Sequence, residues 1–137
     1  MIRNSVSARA ARGTQMTISG GRVLVIEDDE GMREAIESLL NAAGYPTSSY
    51  ASAEALIAAG TPEDARCIVS DIRLPAMSGL EMITELRARG ARLPVILITA
   101  HDSPTLRGEA GLRGAAAYLP KPFARGELLA AIESAMH

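Results

Sequence analysis

Five short apolar runs, each followed by a stretch with helical spacing, constrain this 137-residue chain more than any other feature. Val23-Leu24-Val25-Ile26 is a continuous, largely β-branched run, as in a strand buried on both faces. Residues 30–43 place Met32, Ile36, Leu39, Leu40 and Ala43 on one helical stripe, and Gly44 ends that helix. Residues 46–50 read as a weak strand, and Ser52 can cap a short helix holding Leu56 and Ile57. Cys67-Ile68-Val69 is a third strand, and residues 79–89 a third helix with Leu80, Ile83 and Leu86 inward. Pro94 opens the fourth strand, Val95-Ile96-Leu97-Ile98, and residues 104–113 follow as a weak helix. Ala116 to Leu119 is the fifth strand, and residues 125–136 the last helix, with Leu128, Leu129, Ile132 and Met136 inward. Alternation of this kind implies an α/β fold: a parallel sheet with helices on both faces. In such sheets ligands sit beyond the carboxyl ends of the strands.

The residues at those ends are polar and of few kinds. In strand order they are Glu27-Asp28-Asp29, Asp71, Thr99 and Lys121. Lys121 is the only lysine; the other 13 of the 14 basic residues are arginines. A lysine is a compact point charge on a flexible stem, suited to one phosphoryl oxygen or one carboxylate, whereas arginine is a planar fork. Glu27, Asp28 and Asp71 converge, and carboxylates this close repel unless a cation lies among them. Oxygen ligands without nearby His or Cys select a hard cation. Mg²⁺ takes one or two carboxylates, waters and a phosphate oxygen. Asp71, on the middle strand, is the natural nucleophile, because carboxylates form aspartyl phosphates. Lys121 and the Thr99 hydroxyl are placed to meet the other phosphoryl oxygens, and stabilising that charge is most of what phosphoryl transfer requires.

Composition narrows the partners. Residues 1–20 carry Arg3, Arg9 and Arg12 and no acid, so residues 21–137 hold 11 basic and 16 acidic residues, a net of −5. An acidic body argues against direct contact with nucleic acid. Residues 1–20 are rich in Ser, Thr, Ala, Arg and Gly, as transit peptides are, but read here as a flexible tail ahead of one domain over 21–137. No apolar run reaches the length of a membrane span. Cys67 is the only cysteine, which excludes an internal disulfide and fits a reducing, cytoplasmic compartment. It reads as a small buried hydrophobe, Met77 as a loop packing residue and His101 as a surface loop residue.

Four phrases at the strand ends resemble the receiver domain of two-component response regulators, the CheY-like family, over residues 22–136. They are Val23-Leu24-Val25-Ile26-Glu27-Asp28-Asp29-Glu30, Ser70-Asp71-Ile72-Arg73-Leu74-Pro75-Ala76-Met77-Ser78-Gly79-Leu80, Ile98-Thr99-Ala100, and Tyr118-Leu119-Pro120-Lys121-Pro122-Phe123. The phrase around Asp71 is most similar to receivers of the nitrogen-fixation-regulator type, which usually carry a DNA-binding output domain. The resemblance implies a flavodoxin-like, doubly wound sheet of five parallel strands in order 2-1-3-4-5, with five helices. It implies that Asp71 accepts a phosphoryl group from a histidine kinase or phosphotransfer protein. Mg²⁺ would be held by Asp28, Asp71, the backbone carbonyl of Arg73 and, through water, Glu27. Thr99 and Tyr118 would form a switch pair, Lys121 would pair with the phosphoryl group, and the Lys121-Pro122 bond would be cis. A downstream target protein, and a homodimer through the fourth helix, fifth strand and fifth helix, are implied in the same way.

The chain departs from that pattern in three places. It ends at His137 directly after the fifth helix, which reads as a stand-alone receiver, with an excised receiver of a DNA-binding regulator as the alternative. Gly108 and Gly111 fall inside the fourth helix, each costing about 1 kcal/mol relative to alanine, so that helix should be loose. Ala76 stands where a glycine is common, a minor change. Two other function classes compete. An aspartate-nucleophile phosphatase usually has a second aspartate two residues after the nucleophile, where this chain has Arg73. A phosphate-independent interaction module has no need of the complete Asp28, Asp71, Thr99 and Lys121 set. The expectation is therefore a signalling domain that catalyses only its own phosphorylation and dephosphorylation.

Overall fold

A computed structural model describes residues 21–136; the tail read over residues 1–20 lies outside the described residues. Ten elements alternate: β1 (Arg22–Ile26), α1 (Glu30–Ala42), β2 (Thr47–Tyr50), α2 (Ala53–Ala59), β3 (Ala65–Asp71), α3 (Gly79–Ala88), β4 (Val95–Thr99), α4 (Pro104–Leu112), β5 (Ala117–Pro120) and α5 (Arg125–Ala135). The strands form one five-stranded sheet in the order β2-β1-β3-β4-β5, and every pairing is parallel. This is the expected doubly wound architecture.

Side chains alternate across a strand, so each central strand feeds two cores. Leu24, Ile26, Ile68, Val95 and Leu97 join α2, α3 and α4 in one cluster. Val23, Val25, Cys67, Val69, Ile96 and Ile98 join α1 and α5 in the other. All eleven of these strand side chains are fully buried, which is why the runs are apolar throughout instead of alternating with polar residues.

Local chemistry sets the helix starts. Asp29, Ser52, Ser78 and Ser103 each accept a backbone N–H from the first turn of the following helix. Ser78 and Glu81 complete a capping box at α3. Gly44 follows the last turn of α1 at φ 98°, a conformation that glycine adopts without steric cost. β3 is longer than the apolar run that announced it, because Ala65 pairs with Arg22 ahead of the run, Arg66 is passed over at a register shift, and Asp71 pairs after it.

Candidate functional site

The sheet register gathers the polar residues. Ile26 lies opposite Ser70, so Glu27, the residue after β1, flanks Asp71 at the end of β3. Asp71 pairs with Ile98 on β4, and Thr99 pairs with Pro120, so Lys121 follows immediately on β5's exit. The Lys121 N–H donates to the Thr99 carbonyl at 2.7 Å, tying the last two positions together. The Lys121-Pro122 bond is cis, as the resemblance implies.

Lys121 Nζ lies 2.9 Å from Asp71 Oδ2 and 3.0 Å from Glu27 Oε1. One ammonium thus bridges the carboxylates of β1 and β3 from the far edge of the sheet. Ligand oxygens of Glu27, Asp28 and Asp71 all lie within 4.8 Å of one another. Glu27 is 1% exposed and Asp71 7%, whereas Asp28 faces solvent at the mouth of the cluster. An all-oxygen set with two sunken carboxylates and one exposed carboxylate fits a hard divalent cation.

Electrostatics point the same way. Burial pushes the Glu27 carboxyl above its ordinary 4.5; the Lys121 hydrogen bond pulls it down, and the charge of Asp71 pushes it up again. A carboxyl raised in the folded state makes the fold less stable as pH rises through its folded pKa, so positive charge here is stabilising. Burial would lower the Lys121 pKa, but its hydrogen bonds to Asp71 and Glu27 outweigh burial and raise it above 10.5. The Lys121 contribution to stability is therefore complete below pH 10.5 and is lost as pH climbs through the higher folded value.

The surroundings fix the backbone that carries these groups. The Arg73 N–H donates to Asp71 Oδ1 at 3.1 Å, turning the chain sharply after β3. The Ser70 hydroxyl, fully buried, donates to the Asp71 carbonyl at 2.9 Å. Gly79, the first residue of α3, packs so tightly against that same carbonyl that a Cβ there would collide with it. Thr99 is fully buried, and its Oγ1 accepts from the His101 N–H at 3.0 Å. Tyr118 donates its hydroxyl to Asp102 Oδ1 at 2.9 Å on the side of α4.

The chain belongs to the response regulator receiver domain family. Residues 23–133 match that family. The chain is 43% identical over 114 residues to the transcriptional regulatory protein FixJ of Azorhizobium caulinodans, covering 83% of this chain and 54% of that protein. It is 42% identical over 113 residues to the response regulator MprA of Mycobacterium avium, covering 80% and 48%. It thus spans about half the length of these curated relatives. A crystal structure of FixJ-N superposes with a TM-score of 0.80 at 31% identity, covering 87% of this chain and 95% of that one. The Vibrio cholerae chemotaxis protein CheY4 superposes with a TM-score of 0.78 at 26% identity, covering 85% and 99%. Receiver domains are phosphorylation-switched signalling domains, and this chain is one of that class.

Every candidate named from the sequence lies at one end of the receiver sheet, with Tyr118 at its margin. Two contributors escaped sequence reasoning. Arg33, in the first turn of α1, donates from Nη1 to the Glu27 carbonyl at 2.8 Å and pins the acidic loop. Glu54, on α2, accepts the Met77 N–H at 2.8 Å and steadies the loop after β3. No periodicity marks either contact, since both join a side chain to a distant backbone group. Ala76 is a correction: it is not a minor change, because its φ of 61° puts it in the left-handed region. That conformation costs a residue with a Cβ about 1–2 kcal/mol. Cys67 is a buried core residue as expected, its thiol pushed up to about 12 by burial.

Proposed function

We propose that Asp71 accepts a phosphoryl group from a histidine kinase or phosphotransfer protein, and that the modified domain then engages a downstream target protein. An Asp71 oxygen attacks phosphorus, the bond from phosphorus to the donor atom breaks, and the leaving group departs with the electron pair. Lys121, already 2.9 Å from Asp71, neutralises charge on the transferred group and keeps the acceptor oriented. Asp28, Asp71, the Arg73 carbonyl and, through water, Glu27 would hold Mg²⁺. When bound, Mg²⁺ supplies charge neutralisation and alignment of phosphoryl oxygens. Thr99 and Tyr118 serve as the switch pair, the hydroxyl turning towards the phosphoryl group and the ring turning inward. The chemistry is confined to the domain's own phosphorylation and dephosphorylation, and the setting is cytoplasmic.

The observation that carries this is the bridge from Lys121 to both Glu27 and Asp71, beside the exposed Asp28. It joins a nucleophile, a fixed cation and a hard-metal donor set in one pocket. No described helix is long and apolar enough to cross a membrane. Intact mass after incubation with acetyl phosphate and Mg²⁺ tests the proposal. The native chain should gain one phosphoryl mass and Asp71→Asn none. Equal gain in both would move the acceptor elsewhere, and no gain in a folded, Mg²⁺-loaded native chain would favour a phosphate-independent interaction module.

A further inference from the structure

The loop between β4 and α4 holds the partners of two hydroxyl groups. At its start the His101 N–H donates to Thr99 Oγ1 at 3.0 Å. The next two residues both meet Tyr118: Asp102 Oδ1 accepts from its hydroxyl at 2.9 Å, and the Ser103 N–H donates to that hydroxyl at 3.4 Å. Arg107, one turn into α4, closes the group. Its guanidinium carbon lies 4.5 Å from the centre of the Tyr118 ring, and its Nη2 lies 3.3 Å from Asp102 Oδ2. Both the hydroxyl and one ring face of Tyr118 are therefore engaged by a single loop–helix junction.

We propose that Asp102 and Arg107 are positioning residues that latch Tyr118 against α4 and so set how readily the domain switches. This rests on Thr99 and Tyr118 being the switch pair. A Thr99 oxygen that turns towards a phosphoryl group on Asp71 gives up the His101 N–H. His101 and Asp102 are consecutive, so the segment that loses its Thr99 anchor is the segment that holds Tyr118. Asp102 and Arg107 are both exposed, and their contacts are individually weak because solvent screens them. A weak latch suits a two-state element, since a strong one would hold it shut. Any contact made only in the latched arrangement opposes the transition. Removing it raises the apparent affinity for whatever selects the other arrangement. A residue that merely supports the fold has no such effect on affinity.

The test uses the full chain labelled with 3-fluorotyrosine and titrated with beryllium fluoride and Mg²⁺, a phosphoryl mimic, under ¹⁹F NMR. Tyr118→Phe identifies the Tyr118 resonance, and the bound fluoride signal reports binding independently. Asp102→Ala should bind the mimic roughly three- to tenfold more tightly, with the Tyr118 signal already displaced towards its bound position before titration. Arg107→Ala should give about a threefold gain, and it keeps the test available should Asp102→Ala unfold. Asp102→Asn keeps an oxygen acceptor and should fall between native and Asp102→Ala. Unchanged or weaker binding in both alanine variants, with the Tyr118 resonance still moving on titration, would overturn the latch alone. Binding to the native chain without movement of that resonance would overturn the switch pair and the latch together.

Discussion

Helices α3 and α4 cover the same face of the sheet and both begin on a serine cap, yet they are held down differently. α3 buries Gly79, Leu80, Met82, Ile83 and Leu86, while α4 buries Ala110 alone. What α4 lacks in apolar contact it makes up at its ends with arginines. Arg107 meets Asp102 and Tyr118 at one end. At the other, Arg113 donates to the Leu80 carbonyl at 3.1 Å, to Thr84 Oγ1 at 3.0 Å and to Glu109 Oε2 at 3.0 Å. Burying a large apolar side chain contributes about 1.5–3 kcal/mol, whereas a partly solvated polar contact contributes about 1 kcal/mol or less. Apolar contact is also indifferent to a new charge, while hydrogen bonds and ion pairs can exchange partners. α3 is therefore the firmly buried wall behind Asp71, and α4 is the element held chiefly by exchangeable polar contacts.

The widest gap between the two helices should appear on truncating a core side chain. Ile83→Ala should lower unfolding free energy by about 2–5 kcal/mol in urea titrations, whereas Leu106→Ala, on the partly buried face of α4, should cost less than about 1.5 kcal/mol. Equal losses would erase the distinction. Next in size is Gly79→Ala. Its methyl group would meet the Asp71 carbonyl, so we expect a loss of about 1–3 kcal/mol together with slower phosphorylation from acetyl phosphate. Loss of stability without a change in rate would mean that α3 does not position Asp71.

Two smaller changes act on α4 itself. A Cβ at Gly108 or Gly111 would meet nothing within 4 Å, so these glycines are not required by packing. Alanine at each should strengthen the helix by about 1 kcal/mol, seen as slower amide hydrogen exchange in α4 and no change in α3. The smallest expected effect is that of Arg113→Ala, about 1 kcal/mol or less, with faster exchange confined to α4. Cys67, fully buried on the opposite face of the sheet, should stay inert to thiol reagents in that variant. Reaction there would show that freeing α4 opens the whole domain.

The sequence carried the fold because apolar runs and helix caps are local signals. β1 and β4 were evident from continuous Val, Ile and Leu, and α2 from the Ser52 cap followed by Leu56 and Ile57. β2 was weak because Thr47-Ser48-Ser49-Tyr50 is polar and only partly buried. The chemical groups of the site were legible for a similar reason: each stands at, or just beyond, the carboxyl end of a recognisable strand. Their pairing was not. That Lys121 reaches Glu27 as well as Asp71 depends on a register linking β1, β3, β4 and β5. The Asp102, Arg107 and Tyr118 group depends on the path of a loop, and the strain at Ala76 on a backbone angle that residue identity alone does not reveal.

A chain with one lysine, its amine 2.9 Å from the Asp71 carboxylate and its side chain 15% exposed, has an incidental chemical property. Every ε-amine that can be acylated, methylated or crosslinked in this protein is the one that guards Asp71. Neutralising that nitrogen would leave Glu27 and Asp71 without their shared counter-ion, and occupying the pocket would shield it from reagent. Lysine labelling, elsewhere a diffuse measure of a protein's surface, becomes here, once located at Lys121 and separated from the α-amine, a measure of how open this pocket is.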